Sequence, residues 1–150
     1  MKILLAIDDS KFSEAAIQMV VAQARPQDTE VRVLHVLLPP SLLLGREMGG
    51  GGYDPELETI WKAQREQAKA LVTKTTGMLR ASGFNVTSTL DEGDPKSRII
   101  DVASEWNADL IVLGSHGRKG LDRFLMGSVA ESVARHANCS VEIVRLPLAR

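Results

Sequence analysis

Residues 114–128, GSHGRKGLDRFLMGS, place four glycines, a histidine and three basic side chains within fifteen positions. Gly114, Gly117 and Gly127 lack a Cβ, which lets a backbone approach phosphate oxygens closely. Ser128 begins a helical pattern, and the unpaired N–H groups of a helix N-terminus attract anions. The segment is therefore a candidate phosphate-binding loop. A glycine-rich turn without a ligand, with Ser128 capping its own helix, accounts for the spacing equally well.

Arg118, Lys119 and Arg123 add positive charge to this loop, against the single Asp122. His116 also lies inside it, either in contact with phosphate or as an exposed histidine without a role. His35, within an apolar strand pattern, is predicted to be a satisfied core histidine. No histidine has a second histidine, cysteine or carboxylate at metal-ligand spacing, so we expect no protein metal site.

The composition is that of an ordinary globular domain. A chain of 150 residues suits one domain, and we expect residues 1–150 to form it. The net charge of -1 gives no general attraction to nucleic acid or to an anionic membrane. The apolar start is too short for a signal peptide, and no stretch reaches the length that spans a bilayer. A single cysteine, Cys139, fits a reducing compartment, so we expect a cytoplasmic protein whose thiol is buried.

Five apolar segments alternate with four helical patterns, which predicts an α/β fold. The predicted strands are residues 2–7, 31–37, 84–90, 109–114 and 141–145. Three of them are nearly continuous apolar runs, which is typical of strands covered on both faces. The alternation favours an open parallel sheet with helices on both faces.

Helix starts are marked by capping residues. Asp9-Ser10, Asp54-Pro55 and Asp94-Pro95 precede three of the helical patterns, and Ser128 with Glu131 has the spacing of a capping box in the fourth. Residues 38–53, with two prolines and four consecutive glycines, fit no element. We interpret them as a flexible loop excursion after the second strand, with a functional lid as the alternative.

The spacing G-x2-G-x9-G-S, formed by Gly114, Gly117, Gly127 and Ser128, resembles the nucleotide loop of the ATP-binding branch of the universal stress protein family. Further segments resemble the same family, and together they cover most of the chain except residues 38–53: KILLAIDDS at 2–10, LHV at 34–36, and residues 92–117 and 127–145. The resemblance implies a Rossmann-like fold of five parallel strands in the order 3-2-1-4-5. Its switch point lies between strands one and four.

The resemblance also implies a nucleotide-binding role for ten residues. Asp8 would bond to ribose hydroxyls or adenine, although Asp8 could instead help to cap the first helix. Ala6 and Ile7 would line the base, Val36 would pack on the adenine face, and Leu113 would line the pocket beside Gly114. The loop residues would surround the ribose and phosphates. The apolar set is Ala6, Ile7, Val36 and Leu113; the loop set is Gly114, Gly117, Gly127, Ser128 and Val129. Val36 and Leu113 would be core residues in either case.

The expected function is therefore an ATP-binding stress or signalling switch with little turnover, with Mg²⁺ or Mn²⁺ carried by the phosphates. We assign no catalytic residue, because the sequence contains no Walker lysine, kinase loop or nucleophile elbow. A slow ATPase is one alternative, and AMP or cyclic AMP would share the same adenine contacts. The other alternative is a homodimeric interaction module. Residues 140–145 would form an apolar edge strand, and the resemblance likewise implies a dimer through them.

Overall fold

The computed structural model describes residues 1–40, 54–117 and 126–146. Its elements are β1 (Lys2–Ala6), α1 (Lys11–Gln23), a short 3-10 helix (Pro26–Asp28), β2 (Glu30–Leu37), α2 (Pro55–Ala81), β3 (Asn85–Glu92), α3 (Pro95–Trp106), β4 (Leu110–Gly114), α4 (Ser128–His136) and β5 (Ser140–Val144). All five predicted strands and four predicted helices are present. The predicted excursion at 38–53 falls outside the described residues except for residues 38–40.

The five strands form one sheet in the order β3-β2-β1-β4-β5. Every neighbouring pair is parallel, and Ala6 at the end of β1 is level with Leu34 on β2 and Leu113 on β4. From β1 the chain adds β2 and β3 on one side of the sheet. It then crosses back to the other side of β1, where it adds β4 and β5. The strand order reverses between β1 and β4, which confirms the expected fold class.

The two faces of the sheet carry separate hydrophobic cores. Side chains of β1 and of the residue after it alternate between them: Ile3, Leu5 and Ile7 face α1 and α2, whereas Leu4 and Ala6 face α3 and α4. The first core also contains Ile17, Val20, Val33, Val72, Leu79 and Val112, and the second also contains Leu34, Ile99, Val102, Ile111, Leu113 and Val133. Because both faces are covered, the central strands read as continuous apolar runs. Within the described ranges, no helix is long and apolar enough to cross a membrane.

Three helices begin with a side-chain cap, as their sequences predict. The capping oxygens accept from a backbone N–H within the first turn: Ser10 Oγ from Ser13 N, Asp54 Oδ1 from Glu56 N, and Asp94 Oδ1 from Lys96 N. These bonds satisfy N–H groups that have no carbonyl partner inside the helix.

The predicted capping box at the start of α4 is wrong. The N-cap is Gly127, Ser128 is already helical, and no side-chain hydrogen bond caps this helix. Glu131 instead pairs with Arg135, one turn further along, at 3.0 Å. The two residues have capping-box spacing, but the chain enters the helix one position earlier. The first N–H groups of α4 are thus left without a side-chain partner among the described residues.

Candidate functional site

A cavity of about 560 Å³ opens at the carboxyl ends of β1, β2 and β4, where the strand order reverses. Open α/β sheets bind ligands at this point because the loops of adjacent strands diverge there. The cavity wall contains all ten residues that the resemblance assigned to a nucleotide: Ala6, Ile7, Asp8, Val36, Leu113, Gly114, Gly117, Gly127, Ser128 and Val129. Segments far apart in the sequence thus meet around one space.

The cavity also has an apolar side that the sequence did not predict. It is formed by Leu38 after β2 and by Pro95 and Ile99 in the first turns of α3. The strand order alone would have placed α3 in the cavity wall. The connection from β3 to β4 must cross β2 and β1, which brings this helix beside the switch point.

Asp8 combines the two roles left open by its sequence position. Its Oδ1 accepts hydrogen bonds from Ser10 N and Ser13 Oγ, both at 2.9 Å, and its own N–H donates to Ser13 Oγ at 2.8 Å. Its Oδ2 lies beside Gly117, where a Cβ would come within 3.1 Å of that oxygen. One carboxylate oxygen therefore organises the start of α1. The other lies beside Gly117, which also lines the cavity.

Two loop glycines are required by the packing of the protein against itself. A Cβ on Gly114 would lie 2.7 Å from Phe12 Cβ and 2.8 Å from Phe12 C, so α1 packs directly on this backbone. A Cβ on Gly127 would lie 2.9 Å from Ser115 O, the same oxygen that Gly127 N–H bonds at 2.7 Å. The sequence suggested close approach of phosphate as the reason for both glycines. The structure gives a further reason within the protein itself, which is the close packing of Phe12 on Gly114 and of Ser115 O on Gly127.

The N-terminus of α4 opens onto the cavity through Ser128, Val129 and Ala130. The first intrahelical bond runs from Glu131 N to Gly127 O at 2.9 Å, so the N–H groups of the three preceding residues have no carbonyl within the helix. Together with the positive end of the helix dipole, these groups form an anion-binding position.

The main chain of Val36 points into the crevice between β1 and β2. Leu34 O accepts from Ile7 N on the β1 side, whereas Leu37 O accepts from Gly93 N on the β3 side, both at 2.9 Å. Alternate residues of a strand direct their N–H and C=O groups to opposite neighbours. Val36 therefore directs both groups toward β1, beyond Ala6–Leu34, the last β1–β2 pair. A ligand there would meet one donor and one acceptor.

His116 is half-buried in the cavity wall. Its Nδ1 is 3.0 Å from Ser115 Oγ, and its ring centroid is 5.0 Å from that of Phe12. Its Nε2 is buried and has no hydrogen-bond partner among the described residues. His116 is thus neither fully exposed nor fully satisfied. The predicted basic neighbours Arg118, Lys119 and Arg123 lie outside the described residues.

His35 has a hydrogen-bond partner, as its sequence context predicts, but it is not a core residue. It is half-buried, and its Nδ1 is 2.6 Å from Ile7 O. Within the described ranges, no group of three or more histidine, cysteine, aspartate or glutamate side chains could hold a metal ion.

Two ionisable groups near the sheet have shifted pKa values. The hydrogen bond from Arg98 Nε to Asp91 Oδ2, at 2.8 Å, raises the pKa of the Arg98 guanidinium and ties α3 to the end of β3. Cys139 is half-buried and not buried as the sequence predicted. This partial burial, followed by the nearby charge of Asp109, raises the pKa of the Cys139 thiol. A raised thiol pKa keeps Cys139 protonated and unreactive at neutral pH.

Comparisons with known proteins agree over nearly the whole chain. The model of the universal stress protein family matches residues 1–145. Universal stress protein MJ0531 of Methanocaldococcus jannaschii is 33% identical over 147 residues, which cover 97% of this chain and 82% of that protein. Universal stress protein YxiE of Bacillus subtilis is 30% identical over 146 residues, which cover 96% of this chain and 98% of that protein.

Solved structures show the same architecture. The structure of the protein MJ0577 superposes with a TM-score of 0.81 at 28% identity, covering 99% of this chain and 97% of that one. The universal stress protein of Archaeoglobus fulgidus in complex with dAMP superposes with a TM-score of 0.65, also at 28% identity, covering 96% of this chain and 97% of that one.

Proposed function

The chain belongs to the universal stress protein family, and we propose that it binds an adenine nucleotide, ATP, in the cavity at the switch point. One observation carries this proposal. Among the described residues, the N-terminus of α4 has no side-chain cap and opens onto a cavity of about 560 Å³, while α1, α2 and α3 are each capped by the side chain of the N-cap residue. The related Archaeoglobus fulgidus protein, solved with dAMP, supports an adenine ligand here.

The three parts of the nucleotide match three successive parts of the cavity. The base lies over β2, between Val36 and the apolar wall of Pro95 and Ile99. The Val36 N–H donates to a ring nitrogen, and its C=O accepts from the exocyclic amino group. The ribose lies over β1, where Asp8 Oδ2 accepts from a hydroxyl. The phosphates lie at the N-terminus of α4, and a Mg²⁺ or Mn²⁺ carried by them needs few protein ligands.

The bound nucleotide acts as a switch and is hydrolysed little, if at all. The protein works in the cytoplasm. Hydrolysis requires a residue that orients water at the γ-phosphate. Asp8, the one carboxylate of the cavity wall within the described residues, is at the ribose end. Bound ATP then acts by favouring the conformation or assembly for which it has the higher affinity.

This function is tested by the nucleotide content and nucleotide affinity of the purified protein. We expect mass spectrometry of the denatured protein to recover an adenine nucleotide, or calorimetric titration with ATP to saturate near one per chain. Parallel titrations with AMP, cyclic AMP and GTP define the specificity. A protein that is empty and binds no adenine nucleotide at millimolar concentration would refute the proposal.

Turnover has a separate test, which is phosphate release from ATP by the purified protein. We expect release no faster than in buffer alone. The control is Gly127→Val, whose side chain must displace the loop from Ser115 O. Release that depends on the protein and disappears in this variant would establish the slow ATPase instead. Equal release from both proteins would mean a contaminating enzyme.

The second part of the proposal is a homodimer formed through β5. This strand is at the edge of the sheet. Val144 O accepts from Ser115 N at 2.9 Å, so Val144 faces β4, and by alternation the N–H and C=O of Ile143 face outward. Val141 and Ile143 are only half-buried. An apolar edge with free main-chain groups favours pairing with the same strand of a second copy.

Replacing Ile143 with lysine is expected to convert the dimer to a folded monomer, because two lysines would meet where the two edge strands pair. Light scattering measures the mass, and circular dichroism checks that the fold is retained. Ile143→Val, which keeps a β-branched apolar side chain, is the matched control and should remain dimeric. A dimer that survives Ile143→Lys would exclude this interface.

A further inference from the structure

The hydrogen-bonded pairing of β1 with β2 stops at the bond from Ile7 N to Leu34 O. The bond from Ile7 N to Leu34 O, at 2.9 Å, is regular for parallel strands. The next bond of such a ladder would run from Val36 N–H to Ile7 O. Ile7 O is instead 2.6 Å from Nδ1 of His35. A carbonyl oxygen only accepts, so the Nδ1 of His35 carries the proton and donates it.

We propose that His35 is a positioning residue that keeps the base site open by occupying Ile7 O in place of the Val36 N–H. Ile7 O accepts from the side chain of His35, and among the described residues it accepts no bond from the Val36 N–H. The Val36 N–H then remains directed into the crevice, available to a ligand. The effect on nucleotide affinity rests on the proposed function, whereas the effect on the ladder does not.

The same bond also positions the ribose side of the cavity. Ile7 is buried, and its carbonyl belongs to the peptide that carries the Asp8 N–H. That N–H donates to Ser13 Oγ at 2.8 Å. The peptide is thus held on one side by His35 and on the other by Ser13. One histidine on β2 therefore anchors the chain between the base site and the ribose site.

The test compares His35→Leu with His35→Asn in the nucleotide-free protein. Leucine removes the donor that holds Ile7 O, and we expect the Val36 N–H to bond to Ile7 O and extend the ladder. Hydrogen exchange of the Val36 amide, followed by NMR, should slow by about tenfold relative to wild type. ATP affinity should fall by about fivefold, the range expected when one hydrogen bond to the ligand is lost. Asparagine places its Nδ2 near the position of Nδ1, so His35→Asn should resemble wild type in both measurements.

If His35 only stabilises the fold, hydrogen exchange of the Val36 amide in His35→Leu should not slow. Loss of an ordinary stabilising bond would leave exchange of the Val36 amide unchanged or make it faster, and that result would overturn the proposal. The amides of Leu4 and Val112, in the centre of the sheet, report any global loss of stability. If His35→Leu fails to fold, His35→Phe removes the donor and retains a ring. Should wild-type protein bind no nucleotide, the exchange measurement alone still decides the role of His35.

Discussion

Replacing Gly114 with alanine should lower the free energy of unfolding by about 3 kcal/mol, the upper part of the range for overpacked sites. The new Cβ would lie 2.7 Å from Phe12 Cβ and 2.9 Å from Phe12 O, so backbone as well as side chain must move. Moving α1 away from β4 would disturb Ile17 and Val20, which are buried in the core beneath it. For a chain of this size, the midpoint of thermal unfolding should fall by about 6–12 °C.

Gly77→Ala is the matched control for this substitution. Gly77 lies inside α2, where an added Cβ meets nothing within 4 Å. The same chemical change should therefore raise the free energy of unfolding by about 0.5–1 kcal/mol through helix propensity. If Gly114→Ala instead retains full stability but loses ATP binding, then phosphate approach, and not the packing of α1, is the reason for glycine at this position.

The elements of this fold could be predicted because their signals are local. The central strands are continuous apolar runs, and the starts of α2 and α3 carry an aspartate followed by proline. Strand order is not a local property, because many arrangements of alternating strands and helices bury the same apolar faces. The order 3-2-1-4-5 came from the family resemblance. Once that order is known, the carboxyl ends of β1, β2 and β4 must meet around one crevice.

The contacts that the sequence missed are all between distant residues. Phe12 against Gly114 and His35 against Ile7 O depend on which strands and helices are neighbours and on their register. The predicted capping box is wrong because a contact of this kind outweighs a local pattern. Ser128 and Glu131 satisfy the pattern, but Gly127 N–H bonds to Ser115 O and fixes the entry of the chain into α4 one residue earlier. Tertiary contact overrode a local preference at the point proposed to bind phosphate.

Replacing Asp8 with asparagine should lower the affinity for ATP by about thirtyfold, the range for losing a hydrogen bond to a charged group. The asparagine Oδ1 can still accept from Ser10 N and Ser13 Oγ, so the start of α1 is retained. The amide Nδ2 then replaces Oδ2 beside Gly117, and this donor cannot accept the proton of the ribose hydroxyl as the carboxylate does. The free energy of unfolding should therefore change by less than about 1 kcal/mol, because the bonds within the protein are kept.

Titration with 2′,3′-dideoxy-ATP separates this contact from the effect of charge. Removing a carboxylate also reduces repulsion of the phosphates, but that effect is the same for both nucleotides. The ratio of the two dissociation constants therefore isolates the ribose contact, as in a double-mutant cycle. Wild-type protein should prefer ATP, and Asp8→Asn should bind the two nucleotides about equally. If the preference for ATP is unchanged in the variant, Asp8 does not contact the ribose, and its bonds to Ser10 and Ser13 are its whole function.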